Sequence, residues 1–561
     1  MVAAIAMFAA CDPDSEGPSG PSNGDGDGDG PVDYGYAINW DKTTLKIKYT
    51  NDDQSGELSS GCERYYAGES ANFEDIDDLV RQRNAYAATA ANVTVEYDYF
   101  TSTQGWGQST GTMVTEATSD SSEAPDIYYN FVYDISGAQL NGCFANLKGS
   151  YANGNNFRFN DSDYNWESDN YFDSTVGEGY FYAYMQSLSL NNNKLYALAS
   201  DFCVDLVRSF LVVPVNIEML ESIEAKDTWT GDMTNGFYDF YDLVWRTETK
   251  VAENEKYGEG WTYDVLAHYA AAINNPTNDN GSDHVLADTV GFAAGKTSGL
   301  VSSGFLYTVQ SVDVIEENVQ ADGTKNPTYP ETNANLNTLV SKMSELFTKT
   351  GIVAVGSGSF DEIGEADAGT ELQAIRNRFA KSRVLFGGII ALGSLEETVY
   401  QNMLADGGAG FGILPVPLYN SADDYLTLVH NLAKVVAISK STTEFSQASA
   451  YLDYLSRQSA DVIDEYYNVN LVSKTGGVAA EQNKTMLAYI RNHVKDAFAK
   501  TIEDEIGLWK GAIDKEVTAN KFHEIIASNG FGMSDFTSKY GSLRGKKQEY
   551  LAEAVAEWNK H

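Results

Sequence analysis

Polar and aromatic side chains able to grip a ligand gather in three stretches of this chain. Asn51–Ser70 carries Glu57 and Arg64, Thr101–Gln108 carries Trp106, and Tyr133–Gly137 carries Tyr133 and Asp134. Carboxylates and a guanidinium hydrogen-bond directionally, while tyrosine and tryptophan add flat apolar faces for stacking. Asp201 and Arg208 form a fourth pair beside two apolar runs. For that pair an internal ion pair and contact with a ligand are both open. Covalent and metal chemistry have no comparable signature. There is no nucleophile elbow (the G-x-S-x-G strings at Gly20–Gly24 and Gly107–Gly111 do not follow directly on an apolar strand run) and no H-E-x-x-H, the four cysteines (Cys11, Cys62, Cys143, Cys203) make no C-x-x-C, and the six histidines make no H-x-x-x-H. No catalytic residue, cofactor or metal is expected.

Two look-alikes are set aside on spacing. Gly291-Phe-Ala-Ala-Gly295-Lys296-Thr297 has three residues between its glycines, where a phosphate-binding loop has four. Asp25, Asp27, Asp29 and Gly30 imitate the start of a calcium loop, but its twelfth position is Tyr36, so the bidentate acid is missing.

The candidate side chains need a scaffold, and the hydropathy pattern predicts an α/β one. Leu45, Ile47 and Tyr49 alternate with lysines as a strand, a helix carries Phe73, Ile76, Val80, Ala87 and Ala90, and Val93–Tyr99 alternates again. Strand–helix–strand implies a parallel pair with a right-handed crossover. A short helix (Thr112–Ser119) and a third strand running to Tyr133 follow. In open α/β sheets ligands sit beyond the carboxyl ends of the strands, which is why those three loops are singled out. Further on, strands are expected at 194–201 and 209–216 and helices at 180–190, 217–223, 335–349 and 370–382. Short buried strands are expected at 411–416 and 434–438, both taken to belong to the sheet begun at Leu45. Ser441-Thr-Thr-Glu444 has the form of a capping box for a helix with Phe445, Ala448, Leu452 and Leu455 on one face. Helices at 461–467, 482–498, 522–526 and 545–560 complete the chain.

At 561 residues there is material for two cores, and a net charge of −42 repels nucleic acid, so no nucleic-acid partner is expected. Val2–Ala10 is apolar but too short to span a bilayer. Phe8-Ala9-Ala10-Cys11 resembles a lipobox, against the alternative of a plain signal-peptide site with an incidental cysteine. The Gly/Ser/Pro/Asp tether after Cys11 favours a diacylated anchor on a flexible leash.

Three motifs together resemble the extracellular solute-binding proteins (family 1, carbohydrate type) of ABC importers, carried as lipoproteins in Gram-positive bacteria. They are Gly412-Ile-Leu-Pro415-Val-Pro417, Ala437-Ile-Ser-Lys440-Ser-Thr442, and Tyr451-Leu-Asp-Tyr454-Leu-Ser456. Ala124-Pro-Asp126-Ile127, Trp261-Thr-Tyr-Asp264 and Phe386-Gly-Gly388 are similar to further elements of that family. The resemblance implies a two-lobed periplasmic-binding-protein-like (type II) fold, each lobe a mixed, mostly parallel sheet flanked by helices, with a hinge between. The implied organisation is a signal peptide (1–10), a lipid-anchored linker (11–43), lobe 1 (44–146 plus 383–438) and lobe 2 (147–382 plus 439–561). It puts Ile389 and Ile390, just after Gly388, where many sugar binders have a stacking tryptophan, makes Gly388 and Ile389 candidate ligand contacts, and gives Trp261 the role of docking a helix. It implies a monomer that captures a carbohydrate of oligosaccharide type and hands it to ABC permease subunits at the extracellular face of the cytoplasmic membrane. The alternatives are an extracellular glycan-degrading hydrolase, whose paired carboxylates 80 acidic residues could supply, and a glycan-tethering surface lipoprotein built on helix-pair repeats.

Overall fold

The computed structural model describes residues 41–50, 62–68, 75–100, 109–119, 124–147, 160–161, 164–165, 181–224, 243–244, 260–273, 289–296, 299–309, 312, 314–331, 334–356, 368–396, 400, 403, 410–420, 423–430, 433–471, 479–494, 522 and 536–561. Their strands form two main sheets.

Alternation builds the first sheet. Leu45, Ile47 and Tyr49 of β1 (Thr43–Thr50) are buried. β1 pairs in parallel with β2 (Val93–Phe100) on one side and β3 (Ile127–Phe131) on the other. β3 is buried along its whole length, as a central strand covered on both faces must be. The expected extension of that strand to Tyr133 is not seen. The chain turns into a helix at Val132, so the expected loop 133–137 is helical.

Between β1 and β2 runs α1 (Asp75–Ala90), with Ile76, Val80 and Ala87 inward. α1 also buries Arg83, whose Nη2 donates to Tyr65 O at 3.0 Å, while Asn84 Nδ2 donates to Tyr66 O at 2.7 Å. These two residues fix the π-helical turn Cys62–Ala67 that leads out of β1. α2 (Thr110–Ala117) and α3 (Val132–Gln139) flank β3.

The chain leaves this sheet after Leu147. A two-stranded hairpin, β4 (Asn160–Asp161) with β5 (Tyr164–Asn165), and the helix α4 (Phe181–Ser187) come next. The expected strand at 194–201 is present only as a bridge from Leu198 to Val436. The short α5 (Val204–Arg208) then carries the chain into the second sheet through β6 (Leu211–Asn216), followed by α6 (Ile217–Glu224).

The second sheet holds β6, β7 (Val290–Gly295), β8 (Ile352–Val355), β9 (Val384–Phe386), β10 (Ile390–Ala391) and β11 (Phe411–Pro415). β7 is parallel to β8 and β9, and β6 is antiparallel to β9, β10 and β11. Gly291–Gly295, which imitates a phosphate loop in sequence, is thus a buried strand. Helices α7 (Tyr263–Ile273), α8 (Gly299–Tyr307), α9 (Ala334–Leu346) and α10 (Glu371–Ala380) belong to this part of the chain.

Two expected returns to the first sheet are corrected. Residues 383–390 stay in the second sheet, because Val384 pairs with Val290 and Ile390 with Val212. Residues 411–415 stay there too, paired from Phe411–Asn216 to Pro415–Val212. Only β12 (Lys434–Ile438) goes back, antiparallel on β3. The first sheet therefore reads β12-β3-β1-β2.

The next helix, α11 (Phe445–Arg457), does not join the second lobe as expected. It packs on α1, with Tyr454 edge-on to Tyr86 at 6.4 Å and Tyr451 hydroxyl 3.0 Å from that of Tyr97. The Ser441–Glu444 capping box does not form either. Thr442 Oγ1 accepts from Glu444 N, and Ser441 pairs with Ser439. α12 (Ala460–Glu465) also packs on α1, whereas α13 (Ala479–Arg491) packs on β11 of the second sheet. α14 (Phe536–Trp558) closes the chain, Trp558 lying edge-on to Tyr196 at 5.3 Å. Two mixed sheets are incompatible with the helix-pair-repeat alternative. Among the described residues no helix is long and apolar enough to cross a membrane.

Among the described residues three segments pass between the sheets. The first runs from the Leu198 bridge through α5 to β6, and the second from β11 to β12. The third runs from α12 through the π-helical turn Tyr466–Leu471 to α13.

Candidate ligand-binding site

The carboxyl end of β3 meets the start of α2. Asn130, fully buried, donates from Nδ2 to Ser109 Oγ at 3.0 Å. Asp134, also fully buried, receives Thr110 N at 3.0 Å and Thr110 Oγ1 at 2.7 Å. A carboxylate at a helix amino terminus is favoured by the unsatisfied amides and the helix dipole there. Asp134 thus anchors the start of α2 where the chain arrives from the Thr101–Gln108 loop. Tyr133 stands in the first turn of α3; its side chain, like all of Glu57 and Trp106, lies outside the described residues.

Across the molecule, β7, β8 and β9 end at Gly295, Val355 and Phe386. Gly388 follows β9 at φ +84°, and a Cβ there would stand 3.0 Å from Ala293 O. Only glycine takes that conformation readily beside a neighbouring strand's carbonyl. Ile389 is fully buried, and a Cβ on Gly304 of α8 would come within 3.2 Å of its Cδ1. Ile389 is therefore in the core packing of the second lobe, under α8, and Ile390 is likewise buried in β10.

The other candidates are held in ion pairs. Arg64 Nε bonds Asp77 Oδ1 of α1 at 2.8 Å. Asp201 is fully buried and paired with Arg491, at the end of α13. Arg208 is buried between two carboxylates, with Nη1 2.6 Å from Asp205 Oδ1 and Nε 2.7 Å from Glu396 Oε1. Its guanidinium also lies 5.2 Å from the centre of the Tyr65 ring. Burial alone would lower the Arg208 pKa, but Glu396 and Asp205 outweigh it and hold the group above its ordinary range. Tyr466 donates its hydroxyl to Glu396 Oε1 at 2.7 Å. Burial, then the Glu396 charge, pushes that phenol well up, so it remains a donor. Lys434 Nζ completes the group, 3.6 Å from Asp205 Oδ1. For Asp201 and Arg208 the internal ion-pair alternative is what the structure contains.

Sequence reasoning missed Glu396, Tyr466, Lys434, Asn130 and Thr110. Lys434, charged at the head of an otherwise apolar strand, was the one visible signal. Trp261 fits its expected docking role. It is fully buried, its Nε1 donates to Pro415 O at 2.8 Å, and Thr262 Oγ1 accepts from Val265 N at the start of α7.

The described part of the chain thus has two α/β lobes whose strand ends carry the candidate loops, linked by three crossings. The sugar-binding protein MalE from the phytopathogen Xanthomonas citri superposes with a TM-score of 0.52 at 12% identity, covering 92% of this chain and 100% of that one. The fold is that of a solute-binding protein. The galacto-N-biose-/lacto-N-biose I-binding protein of the ABC transporter from Bifidobacterium longum matches at TM-score 0.45 and 13% identity, over 92% of this chain and 98% of that one. The cyclic alpha-maltosyl-1,6-maltose binding protein from Arthrobacter globiformis matches at 0.45 and 12%, over 92% and 99%. No protein-family model matches the sequence. No curated protein matches it either. The carboxyl ends of β1, β2 and β3 and of β7, β8 and β9 are the positions beyond which ligands sit in open α/β sheets. Among the described residues no group of three or more His, Cys, Asp or Glu could hold a metal ion.

Proposed function

We propose that this protein is the extracytoplasmic receptor of an ABC importer, capturing a carbohydrate between two lobes and presenting it to the membrane permease. The observation that supports this most is the correspondence of fold, over nearly the whole of both chains, with a protein described as sugar-binding. Glu57, Trp106 and Tyr133 from the first lobe and the turn at Gly388 from the second would face the ligand, with Asp134 holding the start of α2 beneath them. Aromatic faces would stack on sugar rings and the polar groups would bond hydroxyls. Cys11 would carry the lipid anchor, with residues 11–43 as the leash, and the protein would act as a monomer without catalysing a reaction.

The test is a thermal-shift and calorimetric screen of the purified protein against mono- and oligosaccharides. A sugar that binds only the folded state raises the melting temperature with concentration. Stabilisation by peptides or ions and by no sugar would overturn the carbohydrate assignment. Release of reducing sugar from polysaccharide would overturn the receptor in favour of a hydrolase.

A further inference from the structure

All three crossings contribute to one buried knot. The first supplies Asp205 and Arg208, the second ends in Lys434, and the third supplies Tyr466. The second lobe adds Glu396, from the turn Leu392–Glu396 after β10, and the first lobe adds the Tyr65 ring. Tyr65 also lies edge-on to Tyr466 at 5.7 Å. Two cations face two carboxylates, so the knot is neutral inside a chain of net charge −42. A second buried pair, Asp201 with Arg491, joins the first crossing to the helix that ends the third.

Buried, charge-balanced groups of this kind have one favourable arrangement, because separating any partner leaves a desolvated charge. If one lobe turns against the other, atoms far from the axis move most and those on it least. Groups that must keep their geometry throughout belong on the axis. We propose that the Arg208 knot is the pin about which the lobes turn, with Arg208 a positioning residue that sets the range of lobe separations in the absence of ligand. This rests on the solute-receptor reading, since it presumes that the lobes close. It gives Arg208 a part in binding without contact with the ligand.

Spin labels on Thr94→Cys in β2 and Lys349→Cys after α9, both exposed, report lobe separation by pulsed electron-electron resonance. Cys11→Ser and Cys62→Ser are included, and Cys143 and Cys203 are buried. The full chain is measured without ligand. Glu396→Gln breaks the ion pair while keeping the shape; Tyr466→Phe removes only the hydroxyl and serves if Glu396→Gln fails to fold. Trp261→Phe is the control for weakening inside the second lobe. The pin predicts a broader distribution shifted to longer separation in Glu396→Gln and Tyr466→Phe, with Trp261→Phe like the parent. An unchanged distribution in Tyr466→Phe and in any folded Glu396→Gln, or equal broadening in Trp261→Phe, would overturn it. No ligand enters the measurement, so a failed sugar screen leaves this result intact. An unchanged distribution would leave sugar binding intact.

Discussion

Thr442 donates its hydroxyl to Asp126 Oδ1 over 2.5 Å, joining residues 316 apart in the chain. Asp126 Oδ2 accepts the Lys46 amide at 2.8 Å, and the Asp126 carbonyl accepts Ser439 N at 2.8 Å. One aspartate thus pins β1, β3 and the end of β12 together. The Ala-Pro-Asp-Ile and Ala-Ile-Ser-Lys-x-Thr motifs are two halves of this joint.

The joint has a pH signature. Burial raises the Asp126 pKa, with the Lys46 amide and Thr442 hydroxyl opposing it only in part. As pH rises through the ordinary carboxylate range, the unfolded chain releases its proton first. The folded state then holds more protons, so this group's contribution to stability falls with rising pH. The contribution is fully present below the unfolded pKa and is lost as pH passes the raised folded value. Asp126→Asn removes that term. Urea midpoints between pH 3.5 and 7 should move in favour of the variant, relative to the parent, as pH rises. A constant difference across the range would refute the assignment.

Asn483 is the next joint. Its Oδ1 accepts Ile413 N at 2.8 Å and its Nδ2 donates to Phe411 O at 3.0 Å, so one buried side chain bonds two backbone groups on the same edge of β11, as a neighbouring strand would. Asn483→Ala should cost about 2–4 kcal/mol, since it strands two buried backbone groups. Asn483→Asp keeps the acceptor but sets a buried carboxylate against the Phe411 carbonyl, so it should be at least as harmful. Chemical denaturation of the three proteins gives the order. Recovery in the Asp variant would show that only the Ile413 contact matters.

Much of the architecture was legible because it is periodic. β1, α1 and β2 follow from alternation and a helical stripe, and the resemblance added the two-lobe plan. The course of the chain between lobes was not legible. Phe411–Pro415 and Lys434–Ile438 are both short buried strands, and a strand covered on both faces carries no mark of its partner. β11 pairs with β6 while β12 pairs with β3, a choice made by neighbours roughly 200 or 300 residues away in sequence. Arg208 shows the same limit at the site. Its partner Glu396 is 188 positions distant, so ligand contact and ion pair looked equally plausible from spacing. Asp134 stood out as a polar group at a strand end. Its engagement by Thr110 depends on where α2 starts, which spacing leaves open.

Trp261 tests the docking role. Trp261→Phe keeps a ring near Phe386, which lies 5.0 Å away, but loses the bond to Pro415 O. The expected loss is about 1–2 kcal/mol, for an acceptor left buried. Trp261→Ala should lose about 3–5 kcal/mol, because a cavity is added. Any sugar found by screening should bind the Phe variant with parental affinity in calorimetry. A large affinity loss with unchanged stability would move Trp261 into the ligand site.

Two glycines should respond to alanine with opposite signs. Gly291 in β7 lies against α7, and a Cβ there would fall 1.9 Å from Ala270 Cα and 2.5 Å from its carbonyl carbon. Backbone atoms cannot rotate aside, so the helix must lift from the sheet. Gly351, at φ +77°, meets Ala270 O in the same way, which leaves α7 no room to slide toward β8. Gly291→Ala should therefore cost about 3 kcal/mol or more, at or above the upper end of ordinary overpacking. Gly545 sits inside α14 and is exposed, and a Cβ there meets nothing within 4 Å. Its only effect is to leave the unfolded chain freer, so Gly545→Ala should stabilise by about 0.5–1 kcal/mol. Urea unfolding of both variants measures the contrast. A tolerated Gly291→Ala would mean that α7 packs less closely on β7 than this backbone allows.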